Sequence, residues 1–316
     1  MPKTILVTGG AGFIGSHLID YLREESYKVL CIDNLSLGRE ENIKHHERDS
    51  GFRFIKMDLL NKKGLNEVFE KDKIDCVFHL AANSDIQKGR ENLEIDLKNT
   101  FMTTFNILDC MKKNGIPQIV FASSSAIYGE LDKPLSEDTG PLFPISFYGA
   151  AKLCSEAYIS AFCGNSNIQA WILRFPNVVG ERATHGVVFD FINKLKKNPK
   201  ELTILGNGKQ KKPYMYVRDL IEGIVFARKN SDKKINCFNL GTDSLVTVHR
   251  IAEIVIEEMG LENVKLRFTG GDRGWIGDVP RFKYNLSKIH KLGWKAELSS
   301  EEAVRKAARA LLNKKS

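Results

Sequence analysis

Residues 4–18 read TILVTGGAGFIGSHL. An apolar, β-prone run at 4–7 stops at Thr8. Glycines follow at Gly9, Gly12 and Gly15, and an amphipathic segment, 14–23, starts inside the glycine run. A bare glycine triplet says little; strand, glycine turn and helix in that order say much more. Glycine permits the tight turn and lets backbone approach a pyrophosphate. The helix N-terminus then offers that anion free N–H groups and a favourable dipole. A second β-prone run, 28–32, ends at Asp33, about 20 residues past the loop, where a carboxylate accepts hydrogen bonds from adenosine ribose hydroxyls and repels a 2′-phosphate. The expected cofactor is therefore NAD, with Arg39 as the one nearby feature that suits NADP.

Outward from this unit the pattern repeats. Strands are expected at 52–56, 75–80, 118–122 and 169–174, and helices at 64–70, 93–114 and 146–163. Such alternation argues for a parallel sheet with helices on both faces. Continuous apolar strands, such as VLCI at 29–32 and CVFHL at 76–80, fit burial on both sides. Beyond Arg174 the pattern loosens into Gly, Pro and Lys clusters, with helices expected near 187–197, 217–228, 248–259 and 300–313. The fold class expected is α/β, a doubly wound parallel sheet (Rossmann) with a smaller α+β C-terminal substrate domain. Residues 1–175, with a return segment near 213–242, form the NAD-binding domain; 176–212 and 243–316 form the other.

Composition narrows the partners. The 316 residues carry a formal charge of +8, which raises nucleic acid as a ligand. The charge is uneven. Residues 1–170 hold 19 Lys+Arg against 23 Asp+Glu, a net of −4, and the rest hold 28 against 16, a net of +12. No aromatic-interleaved basic stripe accompanies the excess, so nucleic acid ranks last, and a small dianionic substrate explains the basic half better. No apolar run approaches the ~18–20 residues of a membrane span, and the N-terminal apolar stretch is short and Gly-rich for a signal peptide. A cytoplasmic protein is expected. The six cysteines are scattered, with no CxxC and no clustered histidine partners, so no metal site is expected.

The chemistry sits further along. Tyr148 and Lys152 are four apart and share one face of a helix. A free tyrosine, with pKa ~10, is a poor base at neutral pH, and a nearby ammonium lowers that value. Ser123–Ser125 follow the fifth strand, at the carboxyl end where ligands bind in doubly wound sheets. A serine there holds a substrate hydroxyl beside the base; its alternative is turn capping. Leu80, Ala81 and Ala82 end the fourth strand with small residues that admit a cofactor or pack a helix closely. Asp58, after the third strand, suits a polar contact with adenine or a turn. No G-x-S-x-G hydrolase elbow occurs.

With these residues in place the chain resembles the extended short-chain dehydrogenase/reductase family, in its nucleotide-sugar epimerase/dehydratase branch. The matching stretches run in family order: TGGAGFIGSHL (8–18), DNLS (33–36), HLAA (79–82), SSSAIYG (123–129), YGAAK (148–152), LRFPNVVG (173–180), YMYVRDL (214–220), FNLGT (238–242) and LGW (292–294). The resemblance implies a catalytic set of Ser124, Tyr148 and Lys152. It implies NAD contacts from Gly9, Gly12, Phe13, Ile14, Gly15, Asp33, Asn34, Asp58, Leu59, Leu80, Ala81, Ala82, Asn99, Tyr148, Lys152 and Phe175. It also puts Ser124 and Asn177 at substrate-contact positions. Dehydratases of the branch carry an Asp-Glu pair where this chain has Ser125 and Ala126, and decarboxylases carry a Glu in the same segment; both are missing. The remaining pattern is similar to that of UDP-glucose 4-epimerases and their relatives. Two departures stand out. Lys212-Pro213 replaces the usual Arg-Asp, keeping a point charge but losing the bidentate fork. GGDRGWIGD at 270–278 is longer than usual, with Arg273 as the candidate diphosphate arginine.

The activity implied is epimerisation at C4 of a UDP-hexose, a UDP-N-acetylhexosamine or a UDP-uronate. Tyr148 acts as base on the 4-hydroxyl, and a 4-keto sugar turns and takes hydride back on its other face. A reductase with net cofactor turnover and a non-catalytic NAD-binding protein are the rivals. Family members dimerise through the helices near 93–114 and 146–163, so a homodimer is expected.

Overall fold

Short apolar runs pair in parallel where helices can cover both their faces, and the first half of the chain does this. The computed structural model describes residues 3–313. The first elements are β1 (Thr4–Thr8), α1 (Phe13–Glu24), β2 (Lys28–Asp33), β3 (Phe52–Lys56), α2 (Lys62–Lys71), β4 (Cys76–His79), α3 (Ile86–Glu91), α4 (Leu93–Asp96), α5 (Thr103–Lys113), β5 (Gln118–Ser124), α6 (Phe147–Gly164) and β6 (Gln169–Phe175). After these come β7 (Asn177–Val179), α7 (Val187–Lys197), β8 (Glu201–Ile204), β9 (Lys211–Lys212), β10 (Tyr214–Tyr216), α8 (Val217–Lys229), β11 (Ile235–Asn239), β12 (Val246–Thr247), α9 (Val248–Glu258), β13 (Lys265–Phe268), α10 (Ser287–Leu292) and α11 (Ser300–Leu312).

Seven strands form one sheet in the order β11-β6-β5-β4-β1-β2-β3. β1 pairs in parallel with both β2 and β4, with Thr8 opposite Ile32 on one side and His79 on the other. Strand order therefore reverses beside β1, the switch point at which doubly wound sheets bind ligands. The core of this unit packs Leu6, Ile32, Val77, Phe121 and Ile172 against Ile107, Met111 and Ile159 of the helices.

The chain divides into two compact units. The first runs to Ile127 and adds 146–174 and 225–238; the second takes 128–145, 175–224 and the chain from Asn239 onward. The return segment is thus shorter than the expected 213–242, and 128–145 leaves the first unit. Hydrogen bonds explain the second difference. Asn239 accepts from the Tyr128 hydroxyl at 2.7 Å, donates its backbone N–H to Glu137 at 2.7 Å and donates its side-chain amide to the Leu135 carbonyl at 2.9 Å. Leu135 in turn donates to the Lys283 carbonyl at 2.8 Å. The second unit has its own core, with Phe191, Leu195, Tyr214, Ile251, Val255 and Val304.

One expected helix is broken. The run 93–114 contains a π-helical segment, Leu97–Met102, between α4 and α5. Thr103 and Thr104 donate their hydroxyls back to the carbonyls of Asn99 (3.0 Å) and Thr100 (2.8 Å), bonding that bends helices. At the other end of the chain α11 begins with a full capping box. Ser299 accepts the Glu302 N–H at 3.3 Å, and Glu302 accepts the Ser299 N–H at 2.8 Å. Ser299→Ala should cost about 1 kcal/mol, read as a lower midpoint in urea melts. Among the described residues no helix is long and apolar enough to cross a membrane.

Candidate active site

The glycine loop is built tight. Gly9 has φ +70°, and a Cβ there would lie 2.8 Å from the Ala81 nitrogen. A Cβ on Gly15 would lie 2.2 Å from the Gly9 carbonyl oxygen. A side chain at Gly9 would push the turn away from the end of β4, and one at Gly15 would push α1 away from the turn itself. The result is a bare backbone cradle at the N-terminus of α1, the geometry an anion such as pyrophosphate requires. Phe13 and Ile14 open the helix. Asp33, at the end of β2, accepts the Ala11 N–H at 3.0 Å and the Leu35 N–H at 2.8 Å. A carboxylate has about four lone-pair sites, so capacity remains for a ribose hydroxyl. Burial pushes Asp33 upward, and those N–H donors pull it back. Asn34 donates to Asp58 at 3.1 Å, and both are exposed. Leu59 is a core residue whose carbonyl accepts the Asn106 amide at 2.9 Å. Leu80, Ala81 and Ala82 follow β4, beside the loop. The residues fit a dinucleotide. Gly9→Ala should yield protein with sharply reduced bound NAD, checked by cofactor content after purification.

Behind the loop runs a fully buried polar chain that the sequence reading missed. The Thr8 hydroxyl meets His79 Nδ1 at 2.7 Å, His79 Nε2 meets the Thr104 hydroxyl at 3.0 Å, and Ser155 donates to Thr104 at 3.2 Å. Desolvation drives the His79 imidazole down to about 3, with the Lys152 charge adding to it. A neutral ring with one donor and one acceptor suits two hydroxyl neighbours. This chain fixes β1, β4, α5 and α6 to one another.

Tyr148 and Lys152 stand on the first turns of α6. Ser146 caps that helix by accepting the Gly149 N–H at 3.1 Å. Lys152 is buried; its Nζ donates to the Ala122 carbonyl at 2.6 Å, lies 4.7 Å from the Phe121 ring centre and 5.8 Å from that of Tyr148. Burial lowers Lys152 to about 7, while Glu156 and Asp96 hold it up. Tyr148 is pushed up to about 12 by desolvation, with the Ser124 hydroxyl pulling it down and Asp96 pushing it further up. This corrects the expectation that the lysine lowers the tyrosine. Burial outweighs the partner here, and an amine near 7 is only partly charged at neutral pH.

Two buried acids surround the lysine. Glu156 takes Arg174 at 3.1 and 2.7 Å and the Ser123 hydroxyl at 2.5 Å. Asp96 accepts the Asn83 amide at 3.0 Å, and its other oxygen is buried without a hydrogen-bond partner. The neighbouring Asn99 presents an exposed side chain; Asp96 and Thr100 are the buried polar residues of this stretch. Asp96, Thr100 and Thr104 are spaced four apart and share the buried face, while Asn99 lies off it. Because the Asp96 charge supports protonated Lys152, Asp96→Asn should lower the lysine further. If turnover needs the ammonium, the alkaline limb of the kcat–pH profile moves to lower pH.

The remaining candidates lie in the second unit. Phe175 is buried, and its carbonyl accepts the Tyr284 hydroxyl at 2.9 Å. The Asn177 side-chain amide nitrogen is buried without a partner, an open donor. Lys212 is buried in an ion pair with Asp278, and its Nζ lies 5.5 Å from the Trp275 ring centre. Arg273 pairs with Glu130 at 2.9 Å and donates to the Asp278 carbonyl at 3.2 Å. Both cations already have acidic partners.

Comparison with known proteins places this architecture. The profile of the NAD dependent epimerase/dehydratase family matches residues 5–241. The chain belongs to that family. A Methanocaldococcus jannaschii protein provisionally named as a UDP-glucose 4-epimerase is 33% identical over 314 residues, covering 98% of each chain. A crystal structure of UDP-galactose 4-epimerase is 37% identical with a TM-score of 0.87, covering 98% of this chain and 99% of that one. The Thermotoga maritima UDP-glucose 4-epimerase, solved with UDP-glucose, is 30% identical with a TM-score of 0.89, again over 98% and 99%. The doubly wound sheet expected from the sequence is the fold these structures share.

Proposed function

We propose that the protein is an NAD-dependent 4-epimerase of a UDP-linked hexose, with Ser124, Tyr148 and Lys152 as its catalytic set. The observation that carries this reading is the convergence of those three side chains at the carboxyl end of β5, with no carboxylate at 125 or 126. Tyr148 takes the proton of the sugar 4-hydroxyl, and Ser124 holds that hydroxyl by hydrogen bond. Lys152, anchored on the Ala122 carbonyl, keeps its amine beside the Tyr148 ring. Bound NAD supplies a hydride acceptor at C4 and later a donor. Tyr148 returns the proton after the 4-keto sugar has turned. Asp33 selects NAD over NADP, the glycine cradle receives the pyrophosphate, and Leu80, Ala81 and Ala82 follow the neighbouring strand β4.

On the substrate side, Asn177 brings an unsatisfied amide. We assign the diphosphate to Arg273, which is exposed, and give Lys212 a supporting role. Lys212 holds Asp278, which accepts the Gly274 N–H at 3.1 Å and so shapes the loop that carries Arg273. Arg273→Ala should raise KM for the UDP-sugar about tenfold or more with a smaller change in kcat, the pattern of lost uniform binding.

A homodimer is supported by an apolar stripe: Leu93 and Leu97 are exposed, and Tyr158 on α6 packs edge-on against Phe101 and Phe105. Six free thiols support a reducing compartment, the cytoplasm. The test of the activity is a panel of UDP-, dTDP-, GDP- and CDP-sugars followed by NMR. C4 inversion of a UDP-hexose without change in nicotinamide absorbance is expected. Protein that carries NAD yet turns over no UDP-hexose or UDP-uronate would overturn the epimerase reading, and stoichiometric NADH would favour a dehydrogenase.

A further inference from the structure

The structure brings together three potential metal ligands, Asp20, His45 and His46, where the scattered cysteines give no reason to expect a metal site. His45 and His46 lie in a short 3-10 turn, Lys44–His46, and Asp20 lies on α1. The two Nε2 atoms both face Asp20 Oδ1, each at 2.8 Å. One ligand atom from each of the three residues lies within 4.8 Å of the other two. The imidazole planes are held against each other, with ring centres 4.1 Å apart, and the His46 ring also lies 5.3 Å from that of Phe52.

We propose that Asp20, His45 and His46 form a surface site for a borderline-soft divalent transition ion of the zinc class. Two imidazole nitrogens and one carboxylate oxygen are the donor set such ions prefer, with metal–ligand distances of about 2.0–2.2 Å and a water in the fourth tetrahedral position. Neighbouring histidines on one turn with both Nε2 atoms converging on a carboxylate need only small side-chain adjustments to reach that geometry. The site is apart from the glycine cradle but linked to it. The segment leading to His45 contributes the Arg39 N–H and the Asn42 amide, which both donate to the Ala11 carbonyl, at 3.0 and 2.9 Å. An ion bridging α1 and the 3-10 turn therefore pins the segment that braces the nucleotide loop. Its role is structural, with no part in hydride chemistry, so the inference stands whether or not the epimerase reading does.

The test is equilibrium dialysis of the chelator-stripped full chain against zinc sulfate, with cobalt(II) absorption as a second probe. Expected are one ion per chain in addition to any thiol-bound metal, cobalt bands without thiolate charge transfer, and an upward thermal shift with zinc. Asp20→Asn and His46→Ala should each weaken binding at least tenfold, and the His45→Ala/His46→Ala double variant should abolish it and the thermal shift. Circular dichroism and retained NAD content establish that the variants fold. Binding that is absent in the wild-type chain, unchanged in the variants, or carried by thiolates would overturn the proposal.

Discussion

Tyr148→Phe should lower kcat by about 10²–10⁴-fold, the range lost when a positioned proton-transfer group is removed. The substitution keeps the ring and its place on α6 and deletes only the hydroxyl, so the fold and NAD content should be unchanged. The structure makes the expectation demanding. In the ligand-free protein desolvation pushes this phenol up to about 12, so Tyr148 is a resting acid that must be converted to a base when the site fills. NAD, held by the glycine cradle and Asp33, would supply a cationic ring, and an opposite charge near a phenol favours its ionised form. A variant with wild-type turnover would remove Tyr148 from the mechanism.

Lys152→Met should reduce kcat by a similar factor and also change how stability responds to pH. Lys152 is lowered to about 7 in the folded protein, against ~10.4 for an unfolded lysine. Between those values the unfolded chain binds the extra proton, so this group makes stability rise as pH climbs from about 7 toward 10. Below about 7 the amine is charged in both states and the contribution is flat. Methionine preserves the volume under Phe121 and has no proton to release. Urea melts at pH 7 and pH 9 should therefore show a gain in the wild-type protein that is missing in the variant. An equal gain in both would mean that Lys152 titrates normally. Activity and stability readouts together separate loss of the ammonium from simple disruption, since the variant leaves the Glu156–Arg174 pair in place.

Much of this was legible before any coordinates. The runs at 4–8, 28–33, 76–79 and 118–124 are largely apolar because the sheet is covered on both faces, and the glycine run marks a turn that needs glycine at positions 9 and 15. Tyr148 and Lys152 were readable from one helical interval. What escaped has a common physical cause: it depends on contacts distant in sequence. Lys212 is countered by Asp278 and Arg273 by Glu130, partners no local pattern points to. Asp96 is buried beside Asn83, thirteen residues away, a partner that no helical interval shows. His79 looked like one more strand residue, yet it joins four elements through hydroxyls at positions 8, 104 and 155. The direction of the Tyr148 shift also escaped, because an i, i+4 spacing shows the neighbouring charge but not the loss of water around both groups. The short strand Ile235–Asn239 escaped as the sheet's edge for the same reason, since its partner β6 lies about sixty residues earlier.

The most direct measurement follows a label. UDP-glucose deuterated at C4 is incubated with the purified protein, and the UDP-galactose formed is examined by NMR and mass spectrometry. Hydride that leaves C4 and returns to the same carbon keeps the deuterium in the product, with no NADH accumulating; retention is the expected result. Exchange of the label with solvent, or its stoichiometric appearance in released NADH, would contradict the proposed transient oxidation at C4.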